Sequence, residues 1–346
     1  MALSTRAKTV VGVLAFVFAA GAAFVGYRLL TKEEGDPIIP GVAILDEAPV
    51  ACPLTGLEPE SGSVVERRVL SVKIENAPDA RPQMGLEEAD IVFEQEAEGG
   101  ITRFNVLYHC GDADRVGPIR SARPVDPAIL TQFGEPLFVH SGSVDAVVKD
   151  IEEAGIEDIN CNFKEDVCPR DESRDPPHDV FTSTDALRDA GANGGVAPEA
   201  VFTFEEEEPD GSRKGREIHL NFSPVADVTW RYRGNAGEYL RFHGEDTHEL
   251  EDGSQVAATN VVVMLVERLD TRITDSNGTP VPNFEMVGRG DLFVFRNGRV
   301  WEGTWQRDSE EEPIRLLDSE GEEIPLAPGR TWVELFPTDA PEPVEF

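Results

Sequence analysis

Beyond residue 215 the chain is written in apolar runs of strand length separated by turn residues, a pattern that leaves few folds open to it. The runs 219–222, 228–232, 238–243, 260–267, 291–296, 299–305 and 332–336 are short for helices and rich in β-branched and aromatic residues. Asn297-Gly298 between two of them signals a hairpin, because both positions of a two-residue turn there tolerate positive φ. Glu251-Asp252-Gly253 and Asp318-Ser319-Glu320-Gly321 are similar breaks. Residues 219–337 therefore predict a small, mainly antiparallel β domain. The tail 338–346, with its prolines, is expected to be loose.

The first half has another texture. Runs 69–74, 89–93, 104–109 and 137–140 read as strands, whereas 127–133, 145–154 and 184–190 carry helical spacing, the last with Ser183 or Thr184 as N-cap. Residues 51–195 thus predict a mixed sheet interleaved with helices. Residues 196–218 form an acidic connection whose run Glu205 to Glu208 lacks calcium-loop spacing and reads as a solvated charge run. The fold class is α+β: an N-terminal mixed sheet with helices and a smaller, mainly antiparallel β C-terminal domain, preceded by one transmembrane helix.

That helix is the expectation for 9–30. Arg6 and Lys8 precede an uncharged apolar stretch from Thr9 to Tyr27, close to the roughly 20 residues that cross a bilayer. The basic flank leaves residues 1–8 in the cytoplasm and exports the rest past a linker over 31–50. A cleaved signal peptide ending near Ala20-Gly21-Ala22 is the rival reading, and it exports the same globular part. Outside the cell, cysteines oxidise. Cys161 and Cys168 suit a loop-closing disulfide, which leaves Cys52 and Cys110 as a second pair; free thiols and a zinc site are the alternatives. A formal charge of −35, from 66 acidic and 31 basic residues, repels phosphodiester backbones and disfavours nucleic acid.

Ordered motifs run through both halves. Cys52-Pro-Leu-Thr-Gly56, Asn76-Ala-Pro-Asp-Ala-Arg-Pro-Gln83, Ala89-Asp-Ile-Val-Phe-Glu94, Gly99-Gly-Ile-Thr-Arg-Phe104, Val116-Gly-Pro-Ile-Arg-Ser-Ala-Arg123, Val139-His-Ser-Gly142 and Arg174-Asp-Pro-Pro-His178 fill the first. Asn260-Val-Val-Val263, Gly288-Arg-Gly290, Asn297-Gly298, Gly303-Thr-Trp305 and Gly329-Arg-Thr-Trp332 fill the second. Over about 52–337 the chain resembles the YerB-like family of two-domain bacterial lipoproteins of unknown function. The resemblance implies architecture and an envelope location rather than a chemistry. One departure is that no cysteine precedes Cys52, so the lipid-accepting cysteine of those proteins is missing and the apolar segment takes the anchoring role.

The densest polar set is Asp90, Glu94, Glu98, Arg103, Arg120, Ser121, Arg123, His140 and His178. Arginines offer planar donor forks for phosphate or carboxylate, and histidines at strand tips and turns can move protons. The bland alternative is that the arginines pair with Asp90, Glu94 and Glu98 to hold loops together. No complete catalytic, metal or cofactor motif is present; Gly-x-Ser-x-Gly is absent around Ser141, and Trp301, Trp305 and Trp332 read as core rather than a sugar platform. The expected function is a membrane-tethered envelope module that binds a cell-wall component or an envelope protein. The alternatives are a structural protein without a ligand and an enzyme acting on a phosphorylated or glycosidic cell-wall substrate. In the enzyme reading Arg103, Arg120 and Arg123 hold the anion, and Asp90 or Glu94 serves as base or metal ligand.

Overall fold

Near-continuous apolar strands such as 260–266 and 331–337 can only be satisfied with cover on both faces, and they lie at the centre of the molecule. The computed structural model describes residues 51–191, 195–275 and 277–346; the membrane segment expected over 9–30 and the linker over 31–50 lie outside them. Among the described residues no helix is long and apolar enough to cross a membrane.

In chain order the strands are β1 (Leu70–Glu75), β2 (Ile91–Glu96), β3 (Thr102–Tyr108), β4 (Leu137–His140), β5 (Glu157–Asn160), β6 (Arg213–Lys214), β7 (Glu217–Ser223), β8 (Ala226–Arg233) and β9 (Glu238–His243). They continue as β10 (Asp246–Thr247), β11 (Ala257–Ala258), β12 (Asn260–Val266), β13 (Arg268–Leu269), β14 (Asn283–Phe284), β15 (Gly288–Arg296), β16 (Arg299–Arg307), β17 (Arg315–Leu317) and β18 (Thr331–Pro337). Three α-helices, α1 (Asp126–Leu130), α2 (Asp145–Glu153) and α3 (Thr184–Ala190), belong to the first half.

Eleven strands form one mixed sheet in the order β17-β16-β15-β12-β18-β2-β3-β1-β4-β5, with β6 beside β16. The two halves that read as separate domains in the sequence share this sheet. The seam is β18 lying parallel to β2, in register from Thr331 opposite Ile91 to Leu335 opposite Gln95. A second sheet, β10-β9-β8-β7 with β11 on β9, covers one face. Period-2 alternation sorts the side chains. Val261, Val263, Trp332 and Phe336 pack with Ile218, Leu220 and Trp230 of the second sheet. Val262, Met264, Val333 and Leu335 pack on the opposite side with Phe93, Ile129, Phe133, Val147 and Ile151.

Between the sheets lies a fully buried polar cluster. Glu94 and Glu334 are register partners across the seam, so their side chains enter the same layer. Arg241, from β9, donates through one amino group to both oxygens of Glu94, at 2.7 and 2.9 Å. Thr102 and the Trp332 indole also donate to Glu94, and the Trp230 indole donates to Glu334 at 2.7 Å. Arg241 further donates to Nδ1 of His248 at 2.8 Å, whose Nε2 meets Gln83 Oε1 at 2.9 Å. Burial, reinforced by the charge of Glu94, pushes the Glu334 carboxyl well above the usual carboxylate range. That shift favours a proton on Glu334, beside the Glu94 oxygens that accept from Arg241. One prediction separates the two acids by urea denaturation. Glu334→Gln, which mimics a protonated carboxyl, should change stability by less than about 1 kcal/mol, whereas Glu94→Gln should cost about 3–5 kcal/mol by stranding Arg241. Equal costs would contradict the assignment.

The same layer sets an acid limit. Burial, then the neighbouring Arg241 charge, holds the His248 imidazole well below its ordinary value, so the folded state keeps it neutral. Its depressed pKa contributes stability that is fully present above about pH 6.5 and lost as pH falls below it, by up to about 1.4 kcal/mol per pH unit. The urea midpoint should therefore fall between pH 7.5 and 5, and a His248→Asn variant should show a shallower fall; identical slopes would exclude His248 as a contributor.

One segment differs from expectation. The tail over 338–346 is not loose: Glu345 exchanges both backbone hydrogen bonds with His219. The Phe346 ring sits 5.2 and 5.3 Å from those of Phe293 and Phe295, under the Arg213 guanidinium. Apolar residues at its end gain more from this cover than the prolines cost in order. The acidic connection is fastened by its backbone, since the buried Arg296 donates to the carbonyls of Glu205, Glu206 and Glu207 while their side chains stay exposed. Disulfides join Cys52 to Cys110 and Cys161 to Cys168.

Candidate functional site

The stretch after Gly117-Pro118 is held along the ends of β1 and β4 by backbone bonds: Arg120 N to Lys73 O, Ser141 N to Arg120 O, and Ala122 N to Gly142 O, at 2.8 to 3.1 Å. The amide of Arg123 donates to Asp126 at 2.6 Å. Asp126 is itself fixed by Lys73 at 2.6 Å and Asn105 at 3.0 Å, in an ion pair closed to solvent. Burial lowers the Lys73 pKa, and the Asp126 charge opposes that shift. A rigid base of this kind lets neighbouring side chains converge on one place.

They converge on a cleft of about 540 Å³ between the halves, where Arg103, Arg120, Ser121 and Arg123 face Ser141, Gly142, Ser143 and Asn162. Glu75 Oε2 lies 2.6 Å from Arg120 Nε as an ion pair, without a hydrogen bond from that nitrogen, and meets His178 Nδ1 at 2.8 Å. Glu98 Oε2 takes Arg123 at 2.5 Å and lies 3.6 Å from Arg103. Glu98 reaches this position from a turn in which Gly99 and Gly100 both have positive φ, and a Cβ on Gly100 would meet Ser223 Oγ at 2.7 Å.

The arginines keep donors to spare. Both terminal amino groups of Arg120 and Nη2 of Arg103 have no hydrogen-bond partner among the described residues, and Ser143 Oγ is buried without one. Arg103 and Arg123 are only 4% and 8% exposed, so their charges act in a partly desolvated setting. With Arg170, four arginines line the walls against the carboxylates of Glu75, Glu98 and Asp275. Arg170 is held by Asp179. With Arg170 paired to Asp179, the other three arginines face three carboxylates, so the walls are formally balanced inside a chain of net charge −35. Helix α2 starts from the same wall, with Val144 as its N-cap and Asp145 in its first turn.

Other sequence candidates lie elsewhere. Asp90 accepts the amides of His109, Cys110 and Gly111, which anchors the strand end beside the Cys52–Cys110 disulfide. Burial raises its carboxyl, and those amides oppose the shift. Glu94 belongs to the layer between the sheets, where Arg241 and Trp332 consume it. His140 spends both ring nitrogens, on Gly142 O at 2.8 Å and Asp158 at 2.9 Å, and so positions the Ser141–Ser143 turn. His178 reaches the cleft only through Glu75. The enzyme reading thus loses its carboxylate base, because neither Asp90 nor Glu94 is among the residues lining the cleft. Sequence reasoning missed Glu75, Ser143 and Asn162; Glu75 ends an alternating strand, and nothing local marks it as the acid that organises Arg120. Among the described residues no cluster of His, Cys, Asp and Glu is arranged to hold a metal ion.

Comparison with known proteins adds three likenesses. A family profile described as "Protein of unknown function (DUF3048) N-terminal domain" matches residues 54–197, and its C-terminal domain counterpart matches 218–333. The Bacillus subtilis (strain 168) protein named "Putative lipoprotein YerB" is 30% identical over 324 residues, which cover 91% of this chain and 93% of that one. A crystal structure of YerB protein from Bacillus subtilis matches with a TM-score of 0.73 at 27% identity, covering 86% of this chain and 100% of the other.

Proposed function

Starting from the fact that the chain belongs to the DUF3048 family and carries both of its domains in order, we propose that it is a membrane-anchored, extracytoplasmic binding protein that holds an anionic ligand in the arginine cleft. The observation that carries this reading is the Arg120 guanidinium, ion-paired with Glu75 while neither terminal amino group has a hydrogen-bond partner among the described residues, beside Arg103 and Arg123. Arg296, at the end of β15, by contrast spends its terminal groups on carbonyls. A planar fork with open donors is suited to a phosphate or carboxylate.

Location rests on separate support. The uncharged segment from Thr9 to Tyr27 with its basic flank favours an anchor, and the two disulfides favour an oxidising compartment. The relative from Bacillus subtilis is named as a lipoprotein, which agrees with attachment to a membrane. Binding is favoured over catalysis because the acids that could have served as base are occupied in other parts of the fold. Of the carboxylates that do line the cleft, Glu75 and Glu98 are paired with its arginines.

The test is calorimetric and thermal titration of the part from residue 49 onward, a compact unit in itself, with phosphate, pyrophosphate and citrate. An anion at 100 times its dissociation constant should stabilise the fold by about 2.7 kcal/mol. Arg120→Ala should weaken binding about ten-fold or more, and affinity should fall as salt rises. Wild-type protein with no response to any of these anions at millimolar concentration would refute the anion site.

A further inference from the structure

The arginine cleft leaves more to be satisfied than a bare anion could supply. Its volume of about 540 Å³ lies in the range of sites that take drug-sized molecules, so the ligand has a body beyond its charged group. Among the described residues no aromatic side chain lines it, so a nucleobase or a sugar ring finds no face to stack on. The uncharged lining is of two other kinds: the amides and hydroxyl of Asn162, Asn277 and Ser143, and the aliphatic side chains of Ile101, Val180 and Val281. Ser143 Oγ and Asn162 Nδ2 are donors without a partner among the described residues, and Glu98 Oε1 is a buried acceptor without one. Charge narrows the choice further. With Arg170 held by Asp179, three arginines face three carboxylates, and a phosphate group, at about −2, would upset that balance twice as far as a carboxylate. Arg103 and Arg123 are nearly closed to solvent, where uncompensated charge is costly.

We propose that the ligand is a short peptide with a free terminal carboxylate, its carboxylate on the open amino groups of Arg120 and its backbone along Asn162, Ser143 and Glu98. This rests on the anion reading above and names its ligand class. A peptide answers each open group in kind: its carbonyls accept from Asn162 and Ser143, an N–H donates to Glu98, and small side chains cover Ile101 and Val281. A lone phosphate or acetate would use the guanidiniums and leave the rest of the cleft to water. A fatty acid would set hydrocarbon against unpaired amide and hydroxyl groups, which is costly. Two sources carry this chemistry, the end of a protein chain and the stem peptide of a bacterial cell wall, and they differ in the handedness of their last residues.

Calorimetry on the same protein with inorganic phosphate, acetate, N-acetyl-dialanine and the terminal amide of that peptide tests it, the dialanine in both L,L and D,D forms. The better dialanine should bind about ten-fold tighter than acetate or phosphate, and its amide about ten-fold more weakly than the acid. Arg120→Ala should weaken acetate and dialanine alike. Asn162→Ala should cut the dialanine advantage about five-fold, roughly the worth of one hydrogen bond, while leaving acetate affinity and melting temperature unchanged. A preference for the D,D form supports the peptide with a cell-wall source, and a preference for the L,L form supports it with a protein terminus. Phosphate or acetate binding with no dialanine advantage, or an advantage untouched by Asn162→Ala, overturns the peptide assignment and leaves the anion site standing. An amide that binds as well as the acid overturns the role of the carboxylate and the proposal with it. Failure of every ligand to bind overturns the anion site itself.

Discussion

A charge taken out of water must be answered where it sits, and the answer to Glu94 comes from residues far apart in the chain. Arg241 and the Trp332 indole come from the second half of the chain, and Thr102 comes from the first. Leaving any member unpaired in that dry layer would cost several kcal/mol, so the two halves are tied by a penalty for separation as well as by apolar contact. The parallel pairing of β18 with β2 is what sets Glu334 beside Glu94, and the hydrogen bonds from Arg241 and the two indoles are what answer the two acids there. The seam and the cluster therefore depend on each other.

The cleft inherits its rigidity from this arrangement. β1 and β3 lie next to β2, and the Lys73–Asp126 pair locks the segment carrying Arg120 and Arg123 against them. Because the sheet continues without a break into the second half, the wall carrying Asp275 is set against the arginines by the fold rather than by a hinge. Guanidinium donors are then gathered in one place, inside a chain whose net charge of −35 repels extended polyanions.

Local chemistry determined much of this protein without help from tertiary contacts. Strand-length runs, the Asn297-Gly298 hairpin, the Ser183 cap of α3 and the grouping of Arg103, Arg120, Ser121 and Arg123 were all legible, because each depends on residues a few positions apart. The cysteine spacing likewise anticipated Cys161–Cys168. What the tertiary structure alone decided is which polar residues are spent inside. Asp90, Glu94, His140 and Arg120 look alike in sequence, as charged residues near strand ends. Their fates part because register and strand order, set by the chain as a whole, bring amides to Asp90, Arg241 to Glu94 and Asp158 to His140, and leave the tip of Arg120 free. The merging of two sequence domains into one sheet was hidden for the same reason: a strand's own residues show that both its faces are buried, but its edge partner is chosen by the whole chain.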